Sequence, residues 1–373
     1  MTRHPLAIAM TVALGMLVIA PIAEAQQQAG GTSMREQRAK RMAELGKGKE
    51  EARQEEQKPA KYPNATRVAP EAKANPKAVR NLQALQDAYE KQDMAGVIAK
   101  SEEIAAMPNA GAYEKSFAYS MAGNAAADLD DQAKAADYFA KAVESNGLDN
   151  DSHFNTMYNL AVIQYGNEKY ADALATMDRF LAETRSDKPE HQGFRAGILA
   201  NLGRNEEAAA IYKDLVAKNP TDKRILMNAV AALQGADKFD QANVLMEDAY
   251  KRGMLTDEKE FRSLYVGYMN AERYKDAETV VEDGVAKGIL KPGPDLAKAY
   301  VILAQDAYYK EDDKNAVRLY EKAAPMAADG EVYLNLAKVL SNSGKKAEAK
   351  AAAQKALDKG IKKPEDAKSI LSR

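Results

Sequence analysis

The 373-residue sequence contains no cysteine, no tryptophan and only 3 histidines. The absence of cysteine excludes disulfides, thiolate metal ligands and cysteine nucleophiles together. It also leaves a fold that is safe in an oxidising compartment without needing covalent bridges.

Neither sign of charge is in excess, since 53 Lys and Arg face 55 Asp and Glu for a formal net charge of -2. Proteins that bind nucleic acids broadly need a basic face to displace counterions from phosphates. The balance argues against that class. After residue 25, no apolar run approaches the length of about 20 residues that a membrane-spanning helix needs.

Motifs that carry chemistry are missing too. The chain has no glycine-rich phosphate loop and no Gly-x-Ser-x-Gly elbow. His153 and His191 stand alone, without other ligands at metal-binding spacing. Acidic residues at 128–131 and 311–313 fall in expected turns, where solvated charge is the ordinary outcome. We therefore expect no cofactor, no metal and no catalytic activity.

Residues 1–25 have the features of a bacterial secretory signal peptide. Arg3 and His4 precede an apolar run over 6–20, and Ala23-Glu24-Ala25 offers a small-x-small cleavage site. The apolar run is short for a bilayer span, which favours a processed signal over an anchor. We expect a periplasmic protein, with secretion or anchoring by an uncleaved signal as the alternatives.

Residues 26–77 are expected to form a disordered, charged tether. The stretch 34–57 has almost nothing to bury, so it cannot offset the entropy of ordering. The tether holds 12 Lys and Arg and 7 Asp and Glu, a net charge of about +5. It is either a solvated spacer or a basic arm that meets anionic lipid, an acidic partner or the protein's own acidic body. Glutamates interrupt the positive charges, which favours the spacer.

One pattern then returns along the chain: a helix with an apolar stripe, a short turn, and a second helix. In the second helix an alanine is followed four residues later, in most copies, by an aromatic or aliphatic residue. A weaker copy lies upstream around Leu82, Leu85 and Tyr89. The anchor alanines are separated by 38, 35, 34, 35, 39 and 33 residues and are Ala135, Ala173, Ala208, Ala242, Ala277, Ala316 and Ala349.

The pattern has a packing reason. Small residues where two helices cross let their backbones approach closely, and a large neighbour fills the space alongside. A single helix pair cannot bury its apolar face, so neighbouring pairs must stack into a continuous core.

This pattern resembles the tetratricopeptide repeat family, whose period is about 34 residues, over residues 78–363. It is carried by Leu202-Gly203-Arg204 with Ala208, Tyr212 and Pro220, and by Tyr268 through Tyr274 to Ala277. The resemblance implies an all-α fold, an α-solenoid of about seven to eight helix-turn-helix repeats in a right-handed superhelix. Residues 364–373 begin Pro364-Glu365-Asp366, which predicts a C-terminal capping helix.

The resemblance also implies that the first helix of each pair lines a concave groove. Asparagines recur at matching places there, and an asparagine amide can hold an extended peptide by donating to its carbonyl and accepting from its amide. The residues predicted to bind a partner in the groove are Asn159, Asn228, Arg262, Lys298, Gln305, Tyr308, Asn335 and Lys338.

The predicted function is a non-catalytic scaffold or adaptor of the cell envelope that binds a protein or peptide in the groove. One alternative is a structural protein that uses the basic arm at 26–77 to bridge the membrane or wall to a complex. The other is a regulatory or substrate-delivery subunit of an envelope enzyme. No nucleic-acid partner is expected, and residues 26–77 would add only weak contact with a membrane surface.

Overall fold

The computed structural model describes residues 60–71 and 74–372, and all regular structure in these two ranges is α-helical. The prediction of an all-α helical repeat array is confirmed. The predicted signal peptide (1–25) and, of the predicted tether, residues 26–59 and 72–73 lie outside the described residues. The helices are α1 (Val79–Glu90), α2 (Met94–Ala106), α3 (Ala112–Asp128), α4 (Gln132–Ser145), α5 (Asn150–Gly166), α6 (Tyr170–Thr184), α7 (Pro189–Asn201), α8 (Asn205–Lys218), α9 (Lys223–Gly235), α10 (Phe239–Lys251), α11 (Glu258–Asn270), α12 (Tyr274–Ala286), α13 (Pro294–Tyr309), α14 (Asp313–Ala323), α15 (Glu331–Asn342), α16 (Lys346–Lys359) and α17 (Pro364–Ser372).

The described chain forms two compact units. The N-terminal unit contains the described residues up to Lys238, with helices α1 to α9. The C-terminal unit runs from Phe239 to 372 and contains α10 to α17. Within each unit, helices that follow one another in the chain pack as neighbours, as a repeat array requires.

The turn between the two helices of each pair has one recurring backbone conformation. The residue five positions before the anchor is left-handed, with φ between 56° and 77°. The next backbone N–H then donates to a carbonyl five residues earlier, as from Asp131 to Ala126 at 2.9 Å and from Arg273 to Tyr268 at 2.8 Å. This bond satisfies a carbonyl that the helix end would leave free. The turn occurs eight times, because the α1–α2 pair has it too, with Val97 at the anchor position.

Aspartates begin many of the helices. At Asp93, Asp131, Asp149, Asp222, Asp257 and Asp312 the side chain accepts a hydrogen bond from the backbone N–H three residues on. A carboxylate at this position accepts a hydrogen bond from a first-turn N–H that has no partner within the helix. Its negative charge also interacts favourably with the positive end of the helix dipole. Helix boundaries are therefore encoded locally, in the loops.

The alternation of small and large residues packs the pairs. Every anchor alanine is at most 1% exposed. Gly123 of α3 faces Phe139 of α4, and a Cβ on Gly123 would lie only 2.5 Å from the Phe139 ring. The next first helix closes the pair, because Leu160 and Ile163 of α5 join the same core. Each pair is completed by its successor, which explains why the pattern must repeat.

The array is covered at its end by α17, which packs against α15 and α16. Ala367 and Ile370 are its buried residues. Its outer positions are polar, with Glu365 and Asp366 in the first turn. A helix with one apolar stripe and a polar outer face suits the end of a repeat array.

Candidate functional site

In the N-terminal unit the predicted groove residues Asn159 and Asn228 are half-buried, on α5 and α9. Burial raises the pKa of Tyr212, and the Asn228 amide beside its hydroxyl offsets a small part of that rise. The same hydroxyl donates to the carbonyl oxygen of Gly193 at 3.0 Å. Tyr212 therefore links α8 to α7, and Asn228 of α9 lies beside this contact, which the sequence pattern did not indicate.

In the C-terminal unit two predicted residues meet at one carboxylate. Arg262 Nη1 lies 2.6 Å from Asp295 Oδ2, and Lys298 Nζ lies 3.5 Å from Asp295 Oδ1. Burial raises the pKa of the Asp295 carboxyl, but the hydrogen bonds and charges of Arg262 and Lys298 together outweigh it and hold that pKa below its usual range. This ion pair links the first helices α11 and α13, so Arg262 is engaged within the array.

Two other predicted residues serve the fold. Tyr308 is 9% exposed, and its hydroxyl accepts a hydrogen bond from the Asn342 amide at 2.8 Å. It does not present a side chain to a partner in the groove, as its spacing predicts, because it is buried. Lys338 is ion-paired with Asp366 of α17 at 2.9 Å, which fastens the capping helix. Gln305 and Asn335 are half-buried on α13 and α15.

The structure adds an element that the sequence pattern missed, an N-terminal strap formed by residues 60–68. These residues were expected to belong to the disordered tether, but they lie against α5, α6 and the start of α7. The backbone N–H of Lys61 donates to the Asp151 carboxylate at 3.1 Å. The backbone N–H of Thr66 donates to the Glu183 carbonyl at 2.8 Å. The strap is thus tied to the helices through its main chain at both ends.

Tyr62 fills an aromatic pocket beneath the strap. Its ring centroid lies 5.3 Å from that of Phe154, 5.6 Å from Phe180 and 6.4 Å from His191. Both phenylalanines meet it edge to face, the favoured arrangement for aromatic pairs. The side chain is only 5% exposed. We call the residues that surround Tyr62 the aromatic pocket: Phe154, Tyr158, Phe180, Lys188 and His191.

Arg67 is held by a second set of contacts at the α4–α5 turn. Its guanidinium donates to the Asn146 side-chain oxygen at 2.9 Å, to the Asn150 side-chain oxygen at 2.7 Å and to the Leu148 carbonyl at 3.0 Å. Asn150 in turn donates to the Arg67 carbonyl at 3.0 Å. These acceptors are all uncharged oxygens, two from asparagine side chains and one from the backbone, and the planar guanidinium can donate to several of them at once. We call them the arginine socket.

The two histidines predicted to stand alone lie in this region. Burial lowers the pKa of both His153 and His191 to about 4. His191 Nδ1 lies 2.7 Å from the Ser186 hydroxyl. Both rings are neutral at neutral pH, so they act as aromatic packing groups in the region beneath the strap.

One sequence feature could have indicated the strap. Tyr62 is the single aromatic residue in the segment 26–77. A buried aromatic side chain can anchor an otherwise polar segment, because its burial contributes about 1.5–3 kcal/mol. The average composition of the 52 residues from 26 to 77 is polar and charged, so it gave no indication that Tyr62 is buried.

The described ranges contain no group of three or more His, Cys, Asp or Glu placed to hold a metal ion. Nor is any helix within 60–71 and 74–372 long and apolar enough to cross a membrane. The chemistry that these residues present consists of hydrogen bonding, ion pairing and aromatic packing.

The tetratricopeptide repeat family matches two parts of the sequence, residues 158–223 and 330–358. The first part runs from the middle of α5 to the start of α9 and contains Tyr158 and His191 of the aromatic pocket. The second covers α15 and most of α16. No curated protein matches the chain.

Several solved structures are similar. A tetratricopeptide repeat protein from Parabacteroides merdae is 18% identical, over 70% of this chain and 98% of that chain, with a TM-score of 0.40. The C-terminal part of a repeat-containing protein from Cytophaga hutchinsonii is 21% identical, over 67% and 98%, with a TM-score of 0.45. A structure of Naa15/Naa10 bound to HypK-THB is 16% identical, over 69% and 39%, with a TM-score of 0.48. These likenesses are distant in both sequence and superposition.

Proposed function

This chain is a tetratricopeptide repeat protein, and from that we propose that it is an exported, non-catalytic adaptor of the cell envelope. It binds an extended segment of a partner protein along the first helices of its repeats. Tetratricopeptide repeats generally mediate protein–protein interaction. A surface preformed by a packed repeat core lowers the ordering cost when a partner binds.

The observation that carries the proposal is the strap itself. This stretch of chain lies against α5, α6 and the start of α7, with backbone N–H groups paired at Asp151 of the first helix α5 and at Glu183 of the second helix α6. The Asn155 side chain of α5 receives the Lys61 ammonium group. A surface that satisfies backbone groups of one non-helical segment has the properties needed to bind another.

The proposed location in the cell envelope rests on residues 1–25, whose features are typical of a signal peptide. Export predicts a mature chain that begins at Gln26. Cell fractionation followed by N-terminal sequencing of the purified protein measures both points. An uncut N-terminus in the cytoplasmic fraction would end this part of the proposal.

Site-specific photo-crosslinking tests the surface. A photoreactive residue at Asn159 or Lys298, on first helices, should form adducts with a partner in living cells. The matched controls carry it at Lys213 or Lys275, which are exposed on second helices. Adducts from the control positions alone, or the same adducts from all four, would show that first helices are not the binding surface.

A further inference from the structure

The aromatic pocket is built by the repeats. Phe180 packs on Phe154 at 6.2 Å and on His191 at 4.8 Å between ring centroids. Tyr158 closes the side, 5.2 Å from His191 and 5.5 Å from Phe180. These residues come from α5, α6 and α7, so the pocket lies at a junction between two repeats. Its walls support one another through contacts that do not involve the strap.

The strap is bound in the manner of a ligand. Tyr62 is the only buried residue of 60–71, while its neighbours Lys61, Pro63 and Asn64 are exposed. The chain turns directly after the anchor, with Ala65 N donating to the Tyr62 carbonyl at 3.2 Å. Arg67 then enters the arginine socket, and Val68 is 91% exposed. One aromatic anchor, one arginine and a solvated remainder form the usual pattern of a peptide hot spot.

The lining of the site selects the chemistry of its ligand. The Asp151 carboxylate accepts a hydrogen bond from the backbone N–H of the residue before the tyrosine, and the Asn155 oxygen accepts one from that residue's ammonium group. The arginine socket offers oxygens alone to the residue five positions after it. Acceptors on both sides of an aromatic pocket favour a segment with cations on both sides of a tyrosine.

We propose that the aromatic pocket binds a tyrosine in a basic segment of a partner protein, and that the strap is a built-in competitor for it. This rests on the proposed function and specifies its ligand. A short connection holds the strap at an effective concentration on the order of millimolar. A partner segment must therefore exceed the strap in contacts, as one that continued along further first helices would. The strap thereby excludes weak ligands and sets a threshold for strong ones.

The test uses a fluorescent peptide with the sequence of residues 58–70 and the full chain. Binding is measured by anisotropy to the wild type and to a Tyr62→Ala/Arg67→Ala variant, whose own strap is released. We expect the variant to bind the peptide at least about tenfold more tightly than the wild type. A peptide with alanine in place of Tyr62 should lose at least about tenfold in affinity for the variant. Val68→Ala, at an exposed strap position, is the matched control and should behave as wild type.

A tryptophan reporter keeps the test independent of the alanine variant's folding. Because the chain has no tryptophan, Tyr62→Trp introduces a single tryptophan, which can be excited selectively over the tyrosines. Its emission should be blue-shifted relative to Val68→Trp. In the Tyr62→Trp/Arg67→Ala chain, excess peptide should move the emission to that of Val68→Trp.

Three results would overturn the proposal. If the released variant does not bind the peptide while the crosslinks at Asn159 persist, the chain binds partners but not through this pocket. If the reporter stays blue-shifted in saturating peptide, the strap is a permanent part of the fold. If the released variant binds the peptide while the wild type exchanges straps and dimerises in sedimentation, the occupant is a second copy of the chain.

Discussion

Two regions of the molecule hold the same repeat together by different forces. At the α5–α7 junction of the N-terminal unit, Phe154, Phe180 and His191 form a cluster from which water is excluded. At the α12–α14 junction of the C-terminal unit, Arg318 bridges Glu278 and Glu282, with side chains 25–41% exposed. Aromatic burial resists salt and responds to loss of volume, whereas half-exposed ion pairs are screened and individually weak. The geometry of the repeat is therefore independent of the chemistry that fills it.

The largest expected effect comes from emptying the aromatic cluster. Phe180→Ala removes a fully buried ring and should lower the free energy of unfolding of the N-terminal unit by about 3–5 kcal/mol. Urea unfolding by circular dichroism measures the loss. Tyr309→Ala, at a 59% exposed aromatic position of the C-terminal unit, is the control and should change little. If both variants lost the same free energy of unfolding, the aromatic cluster would not be a special source of stability in the N-terminal unit.

Acid should weaken the two units in different pH ranges. In the N-terminal unit, burial lowers the pKa of His153 and His191 from 6.5 to about 4. Between these values the unfolded chain binds more protons, so the free energy of unfolding falls as the pH drops from 6.5 towards 4. Once the pH is below 4, the loss is roughly 3.5 kcal/mol per histidine, because one pKa unit corresponds to about 1.4 kcal/mol.

The C-terminal unit contains no histidine. Hydrogen bonds from Lys251 and Arg273 lower the pKa of Glu247 from 4.5 to about 2. Its contribution is present above pH 4.5 and is lost as the pH falls from there towards 2. Hydrogen exchange at increasing urea, which resolves peptides of each unit, measures both windows. His191→Gln should reduce the fall in the free energy of unfolding of the N-terminal unit between pH 6.5 and 4. If both units instead lost stability together above pH 4.5, the histidines would not be the cause of the difference between them.

A smaller effect should be shared by both units, because the turn within each pair is the same. Glu168 and Glu272 occupy the left-handed position with φ of 59° and 57°, where Gly203 and Gly344 stand in other repeats. Left-handed backbone is costly for residues with a Cβ. Glu168→Gly and Glu272→Gly should each stabilise the fold by roughly 0.5–1 kcal/mol. Gly203→Ala is the reverse control, and thermal unfolding that moved in one direction for all three would refute the shared turn.

The smallest effect should follow from breaking the ion pairs. Arg318→Ala leaves Glu278 and Glu282 half-exposed to water, and we expect a loss of roughly 0.2–1 kcal/mol, reduced by added salt. The wild type and the variant should therefore converge in urea midpoint at high ionic strength. A loss as large as that of Phe180→Ala would mean that the network is a true core of the C-terminal unit.

The repeat could be read from the sequence because its determinants are local and periodic. The anchor alanines, the aspartate caps and the left-handed turn all lie within one period, so each copy repeats the same signal. The family matches at 158–223 and 330–358 confirm the assignment. The predicted superhelical handedness stays a prediction.

The candidate site was harder to predict, for a geometric reason. The repeat pattern placed Arg262 and Lys338 on first helices. Periodicity cannot show, however, that each is already ion-paired within the protein, Arg262 with Asp295 and Lys338 with Asp366. In the same way, Tyr308 has the spacing of a groove residue and the burial of a core residue. Helical spacing defines a face only to within one neighbour, and the rotamer and the adjacent helix decide the rest.

By itself, therefore, the sequence determined the helices, their turns and the order in which the pairs follow one another, since each depends on residues a few positions apart. Only the tertiary structure decided that Tyr62 packs among Phe154, Phe180 and His191, which lie 92, 118 and 129 positions further along the chain. One aromatic ring in a polar segment carries no periodic signal. Its place is chosen by the burial that a distant pocket offers, and that pocket exists only once the repeats have stacked.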